Sequence, residues 1–375
     1  MFSFTQIIHL KHILPQRVNK QFFFSFAKKM LYRKVIRPIF FLLNPEFAHK
    51  LVFATLKVAL TVPGVRFLCS KLFTVTHPSL QRKAFGYHFS NPVGLAAGFD
   101  KNADAFPELA CFGFSFIEVG TVTPKPQPGN PKPRLFRLVT DHALVNRMGF
   151  NNKGVDYVKL NLSRKRRPKN VIIGGNIGKN TLTPNQNAID DYLAVFHGLY
   201  PHVDYIVVNV SCPNVANLRD LQDDDSLKYL LKSITIERKN YDFYKPILIK
   251  VSPDLSDEHL ITTIKIAEEE GIDGYIATNT TTSRADLKTP EAKVKAIGNG
   301  GLSGMPLANR SNEVIKLIHT LTQGAKPIIG VGGIHNPNDA IEKLKAGATL
   351  IQVYTGFIYE GPAIVKRINK ALINK

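Results

Sequence analysis

Six side chains frame the chemistry open to this sequence. Asn176, Asn209, Asn214 and Asn279, with Lys101 and Lys250, sit inside or just past short apolar runs. Each is costly to bury unless paired, and any one alone would pass for a satisfied core group. Recurring at the ends of successive runs, they describe a ligand rich in amide and carbonyl groups. The lysines suit an anionic group or an electron-rich reduced ring. The same run ends carry Gly98, Thr121, Ser211, Cys212, Thr278 and Thr280. GVGG (330–333) and YTG (354–356) fit a phosphate site in which backbone N–H groups face the anion, although glycine pairs also end strands for packing reasons. No His, Asp or Glu cluster with metal-ligand spacing lies at these ends, so no catalytic metal is expected.

These residues need a frame that brings run ends together. Eight β-branched or apolar runs recur: NPVGLAAG (91–98), FSFIEVGT (114–121), NVIIGGNIG (170–178), DYIVVNVS (204–211), PILIKVS (246–252), DGYIATNT (273–280), KPIIGVGG (326–333) and TLIQVYTG (349–356). Helical patterns such as SDEHLITTIKIAEEEG (256–271) and NPNDAIEKLKAGA (336–348) lie between the later ones. Continuous apolar runs mark parallel strands covered on both faces. Eight βα units favour a TIM (β/α)8 barrel, with its chemistry at the C-terminal strand ends. No GxGxxG follows any run, which counts against a Rossmann site.

The chain has 375 residues, 44% apolar and 21% charged, ordinary for a globular protein. Its net charge is +20, and residues 1–75 hold twelve Lys/Arg against one acid, Glu46, a net +11. Charge placed so far forward argues against a nucleic-acid stripe across the main domain and is compatible with an anionic membrane surface. Residues 1–29 are basic and acid-free: either a targeting leader or sequence read from an early start codon, since Met30 begins a plausible chain. Residues 30–75 predict two short amphipathic helices, separated at Asn44-Pro45 and ended at Pro63-Gly64. Such a pair either lies in a membrane interface or packs on the main domain. Residues 76–375 form the barrel. Cys69, Cys111 and Cys212 form no CxxC pair, and no run of 18 apolar residues suggests a membrane span.

Ten ordered motifs carry a family resemblance. They are NPVGLAAGFDKN (91–102), EVGTVTPKPQPGNPKPRLFRL (118–138), NRMGFNN (146–152), NIGKN (176–180), NVSCPN (209–214), IKVSPDLS (249–256), ATNTT (277–281), GGLSG (300–304), PIIGVGGI (327–334) and VYTGF (353–357). The chain resembles the quinone-linked, membrane-associated class 2 dihydroorotate dehydrogenases over roughly residues 30–375. The resemblance implies one FMN per chain, held by Ala97, Gly98, Lys101, Thr121, Asn176, Asn209, Lys250, Thr278, Gly304, Gly333, Tyr354 and Thr355. It implies dihydroorotate bound by Lys101, Asn146, Arg147, Met148, Gly149, Phe150, Asn209, Asn214, Asn279 and Thr280. It further implies a quinone path past His49, Arg137 and Tyr354, formed by the N-terminal helix pair. The implied reaction sends a proton from dihydroorotate to a base and a hydride to the flavin, with Lys250 beside the developing charge and Lys101 at the substrate carboxylate. Electrons then pass to the quinone in the de novo pathway to UMP. A monomer is expected, without nucleic acid, peripheral on the cytoplasmic face of a bacterial inner membrane or, alternatively, on the mitochondrial inner membrane.

One residue departs from the class 2 pattern. The base position in NVSCPN holds Cys212, where that class carries serine and the soluble class 1 enzymes carry cysteine. A thiol with a free pKa of about 8.5 is the easier base. The substitution leaves fumarate or NAD open as the acceptor, whereas the N-terminal helices favour quinone. A tRNA dihydrouridine synthase-like flavoenzyme also fits a cysteine near a flavin, but not this motif set. A non-catalytic flavoprotein-like scaffold is disfavoured because Cys212, Lys101 and Lys250 are all present. The Pro-rich segment 124–133 is expected to be a rigid loop, and Asn214 to Asp225 a lid over the substrate.

Overall fold

In the computed structural model, residues 31–211 and 223–374 are described. The eight apolar runs form eight parallel strands: β1 (Val93–Asp100), β2 (Phe116–Val122), β3 (Ile172–Ile177), β4 (Tyr205–Asn209), β5 (Ile247–Val251), β6 (Gly274–Ala277), β7 (Ile328–Val331) and β8 (Leu350–Val353). Each pairs with its sequence neighbour, and β8 returns to β1, closing the barrel. Helices between the strands cover the outside, which is why both strand faces are apolar. The (β/α)8 expectation therefore holds.

Inside the barrel, alternate residues interdigitate. Phe116 and Tyr205 fill the lower layer, and Gly94 and Gly174 make room for them. A Cβ on Gly94 would lie 2.4 Å from the Phe116 ring. A hairpin (Arg82–Ala84 and Tyr87–Phe89) turns at Phe85-Gly86, both at positive φ, and plugs the N-terminal end. Phe89 packs edge-on to Phe116, and Phe85 stacks on Tyr205.

Above the opposite end lies an antiparallel sheet that sequence reading did not separate. Its strands are Leu135–Leu138, Ala143–Asn146 and Gly301–Gly304, with the second in the middle. The first two belong to the connection after β2, and the third to that after β6. The sheet thus walls one side of the barrel mouth. The Pro-rich segment beside it is held in place: Gln127 and Asn152 exchange backbone hydrogen bonds, and Arg134 donates to the carbonyls of Pro128 and Asn130.

The N-terminal arm has one more helix than the two expected. Tyr32–Ile36 continues into Arg37–Leu42; Pro45–Ala59 follows after a bend of 119°, and Val65–Phe73 forms a further helix. Asn44 caps the second segment, its side chain accepting from the N–H groups of Glu46 and Phe47. That helix stops at Ala59, short of the expected end at Pro63-Gly64, and Gly64, at φ 81°, instead caps the start of the next. The arm is docked on the barrel. Arg137 donates to the carbonyls of Phe40, Phe41 and Leu43 at the end of the first helix. Arg134 forms a two-point ion pair with Glu46, at 2.9 and 3.2 Å. Tyr32 donates to the Ile358 carbonyl, and Arg33 pairs with buried Glu360. Leu42, Val58, Phe67 and Leu68 remain exposed on the arm. No single described helix is long and apolar enough to cross a membrane.

Candidate active site

The inward residues of successive strands change from apolar to polar toward the mouth. Phe116 gives way to Glu118, Gly174 to Asn176, Val207 to Asn209, Leu248 to Lys250, and Leu350 to Gln352, each two residues on and therefore on the same face. Glu118 is fully buried and accepts from Asn176 Nδ2 and Gln352 Nε2, both at 2.7 Å. A carboxylate only accepts, so it orients the amides above it. Asn176 must turn its oxygen away, where it accepts from Thr121 Oγ1 and from Asn209 Nδ2. Asn209 in turn accepts from Asn279 Nδ2 at 3.2 Å. Asn279 also donates to Ser211 Oγ, and its own oxygen accepts from the Thr280 N–H. One buried acid thereby sets the polarity of a row of amides crossing the barrel.

This row floors a cleft of about 1100 Å³. One wall is small: Ala96, Ala97 and Gly98 of β1. Lys250 projects from β5 and is 7% exposed; among the described residues its ammonium has no ion-pair partner. The far end is backbone: Gly304, Gly332, Gly333 and Thr355 line it. Gly333 abuts the helix Ala308–Leu321, where an added Cβ would lie 2.3 Å from Ala308. At the near end, Asp100 folds back to accept from the N–H groups of Asp104 and Ala105, and burial pushes its carboxyl up to about 6. That fixes the turn carrying Lys101, whose ammonium donates to Asn151.

Most sequence-predicted residues meet at this cleft. Ala97, Gly98, Lys101, Thr121, Asn209, Lys250, Thr278, Gly304, Gly333, Tyr354 and Thr355 line it, as do Asn146, Met148, Gly149, Phe150, Asn279 and Thr280. Asn176 lies one layer below. Arg147 points elsewhere, donating to the carbonyls of Pro133 and Ile297 and stacking over Phe136. Cys212, Asn214 and most of the expected lid lie outside the described residues, as do residues 1–30. Sequence reading assigned no part to Glu118, Gln352, His335 or Asn151. The signal available was the two-residue alternation, which puts Glu118 and Gln352 on the inward face of their strands.

His49 and Arg137 lie off the cleft, on and against the arm. His49 packs on Phe53 and Phe99, and Phe99 on Tyr354, which reaches the cleft. An aromatic wall thus joins arm and mouth. Burial, with Lys101 nearby, pushes the His49 imidazole down to about 4. The unfolded arm, titrating near 6.5, then binds the extra proton. This contribution to docking is complete above pH about 6.5 and is lost as pH falls toward 4. Burial raises the Glu46 carboxyl, but the Arg134 hydrogen bond and charge bring it below its ordinary value, with the same sign at lower pH. Amide exchange in Pro45–Ala59, corrected for intrinsic pH dependence, is therefore expected to accelerate from pH 6.5 to 4; a flat profile would refute this.

The cleft fits a flavin on its own terms. Two buried polar atoms lining it, Gln352 Oε1 and His335 Nε2, have no partner among the described residues. The small β1 wall leaves a slot, the far end is lined by glycines and a threonine of the kind that receive an anion, and Lys250 supplies a cation against an electron-rich ring. Fold and site together define a (β/α)8-barrel oxidoreductase. A family model described as dihydroorotate dehydrogenase matches residues 79–375. Dihydroorotate dehydrogenase (quinone) of Christiangramia forsetii is 52% identical over 345 residues, covering 92% of this chain and 99% of that protein. Its namesake in Roseiflexus sp. is 47% identical over 341 residues, covering 91% and 93%. A crystal structure of DHODH from Eimeria tenella in complex with ferulenol superposes with a TM-score of 0.78 at 37% identity, covering 88% of this chain and 91% of that one. The chain belongs to the dihydroorotate dehydrogenase family, whose members are flavoenzymes.

Proposed function

We propose that the protein oxidises dihydroorotate to orotate with one FMN per chain and delivers the electrons to a membrane quinone, in de novo pyrimidine synthesis. The observation carrying this is the amide row, oriented by Glu118, under a cleft that Lys101 and Lys250 line and that ends in a glycine cradle. FMN supplies the acceptor for a hydride. The protein's residues do the rest. Lys101 meets the substrate carboxylate, and Asn146, Asn209, Asn279 and Thr280 offer donors and acceptors to the pyrimidine ring. Cys212 takes the proton from C5, an assignment resting on its place in NVSCPN. Lys250 would lie beside the flavin ring and favour negative charge there. Gly304, Gly333 and Thr355 would hold the phosphate end at the far side of the cleft.

Quinone enters between the arm and the aromatic wall of His49, Phe99 and Tyr354, with Arg137 holding the first helix in place. The exposed apolar side chains of the arm, set among its basic residues, suit an anionic membrane surface. We place the protein, as a monomer, on the cytoplasmic face of a bacterial inner membrane; a mitochondrial inner membrane is the alternative. The test is an acceptor panel on the purified yellow protein: dihydroorotate with quinone, fumarate or NAD in parallel. Quinone is expected to give by far the fastest turnover. Preference for fumarate or NAD would assign the protein to the chemistry that Cys212 shares with class 1.

A further inference from the structure

A buried lysine stands behind the glycine cradle with no carboxylate paired to it among the described residues. Lys343 lies on the helix Pro337–Lys345, and its residue is 1% exposed. Its aliphatic stem runs so close to β7 that a Cβ on Gly330 would lie 2.7 Å from its Cγ. Its ammonium donates to Ser311 Oγ at 2.9 Å and Asn312 Oδ1 at 2.8 Å, both on the helix that abuts Gly333. Ser311 is itself fully buried and donates to the Val331 carbonyl at 2.8 Å, immediately before Gly332-Gly333. The nearby acid, Asp339, is committed elsewhere: it accepts from the N–H groups of His335 and Asn336 as part of a capping box. Among the described residues no carboxylate lies within ion-pair distance of Lys343. Burial accordingly holds its ammonium down to about 7.

An ammonium is retained at such a position only where something repays its desolvation, and hydrogen bonds to neutral groups do so incompletely. Packing alone would be met better by methionine or leucine. We propose that Lys343 is a positioning residue for the phosphate end of the flavin nucleotide. It clamps the GVGG loop through Ser311, and with a phosphate dianion opposite it carries a positive charge behind a cradle that otherwise offers backbone dipoles and hydroxyls. The inference rests on the FMN reading above, because it needs a phosphate dianion at Gly304, Gly333 and Thr355.

The experiment is exchange of bound FMN against added riboflavin on the full-length holoenzyme, followed by flavin fluorescence. Riboflavin lacks only the phosphate. The wild type is expected to hold FMN far more tightly than riboflavin. Lys343→Met is expected to weaken FMN on the order of tenfold, the scale for one buried charge, while leaving riboflavin affinity nearly unchanged. Lys343→Gln, which keeps a donor toward Ser311 but not the charge, should show the same selective loss, and it decides the question if the methionine variant does not fold. Ser311→Ala should show a smaller loss. Equal weakening of both flavins would make Lys343 a packing residue and overturn the proposal, as would unchanged FMN affinity. No preference for FMN in the wild type would instead overturn the phosphate assignment, so the two failures are distinct.

Discussion

Cys212→Ala is expected to slow flavin reduction by dihydroorotate by about 10²- to 10⁴-fold, the usual contribution of a positioned general base. FMN content should hardly change. The residue directly before Cys212 is firmly held: Ser211 is fully buried, its hydroxyl donating to the Lys250 carbonyl at 2.7 Å and accepting from Asn279 Nδ2 at 3.0 Å. Removing the thiol therefore deletes a base without loosening the floor of the cleft. Cys212→Ser sharpens the test. A hydroxyl gives up its proton far less readily than a thiol, whose free pKa is about 8.5. The serine variant should regain part of the rate, with its rate–pH profile displaced to higher pH. Stopped-flow reduction under anaerobic conditions measures both. A near-normal rate for the alanine variant at neutral pH would remove Cys212 from the mechanism.

That prediction comes from a motif, and the site divides by what such local sequence can carry. The eight strands were legible because parallel strands buried on both faces leave continuous apolar runs. The ligand-facing residues were legible because polar side chains at the ends of such runs are costly to bury unless something pairs with them. Glu118 escaped notice for the opposite reason. It sits inside FIEVG, where an acid reads as an interruption, and only the closed barrel shows that it meets Asn176 and Gln352 on neighbouring strands. The antiparallel sheet was invisible because Gly301–Gly304 has little strand propensity of its own and pairs with residues about 155 positions away. The third arm helix was hidden by Gly64, which reads as a stop but caps the start of Val65–Phe73. The latches Glu46–Arg134 and Arg33–Glu360 join distant positions, and no local pattern announces them.

Those latches bear on the second large effect. Deleting residues 30–75 is expected to abolish quinone reduction while dihydroorotate still reduces the flavin. The cleft's floor and lining belong to the barrel and its loops; among the described residues, none from the arm lines it. The arm reaches it through the aromatic wall, where His49 and Phe53 cover Phe99 and Phe99 covers Tyr354. Without the arm a bulky apolar acceptor loses its guided approach, but a small polar substrate entering over the amide row does not. The deletion also uncovers core: Phe53, Leu56 and Phe73 pack against the barrel's outer cluster, and Glu360 loses Arg33 while keeping Arg367 at 2.8 Å. A lower melting temperature is therefore expected, and the two half-reactions must be compared well below it. A milder variant guards against misreading instability. Glu46→Gln weakens the latch while Arg134 keeps its hydrogen bonds to the Pro128 and Asn130 carbonyls, so the Pro-rich segment stays in place. It should raise the KM for quinone while leaving the flavin-reduction rate close to normal. If quinone turnover survived the deletion unchanged, the acceptor would have to reach the flavin by another route, and the arm would be only a membrane-facing or stabilising element.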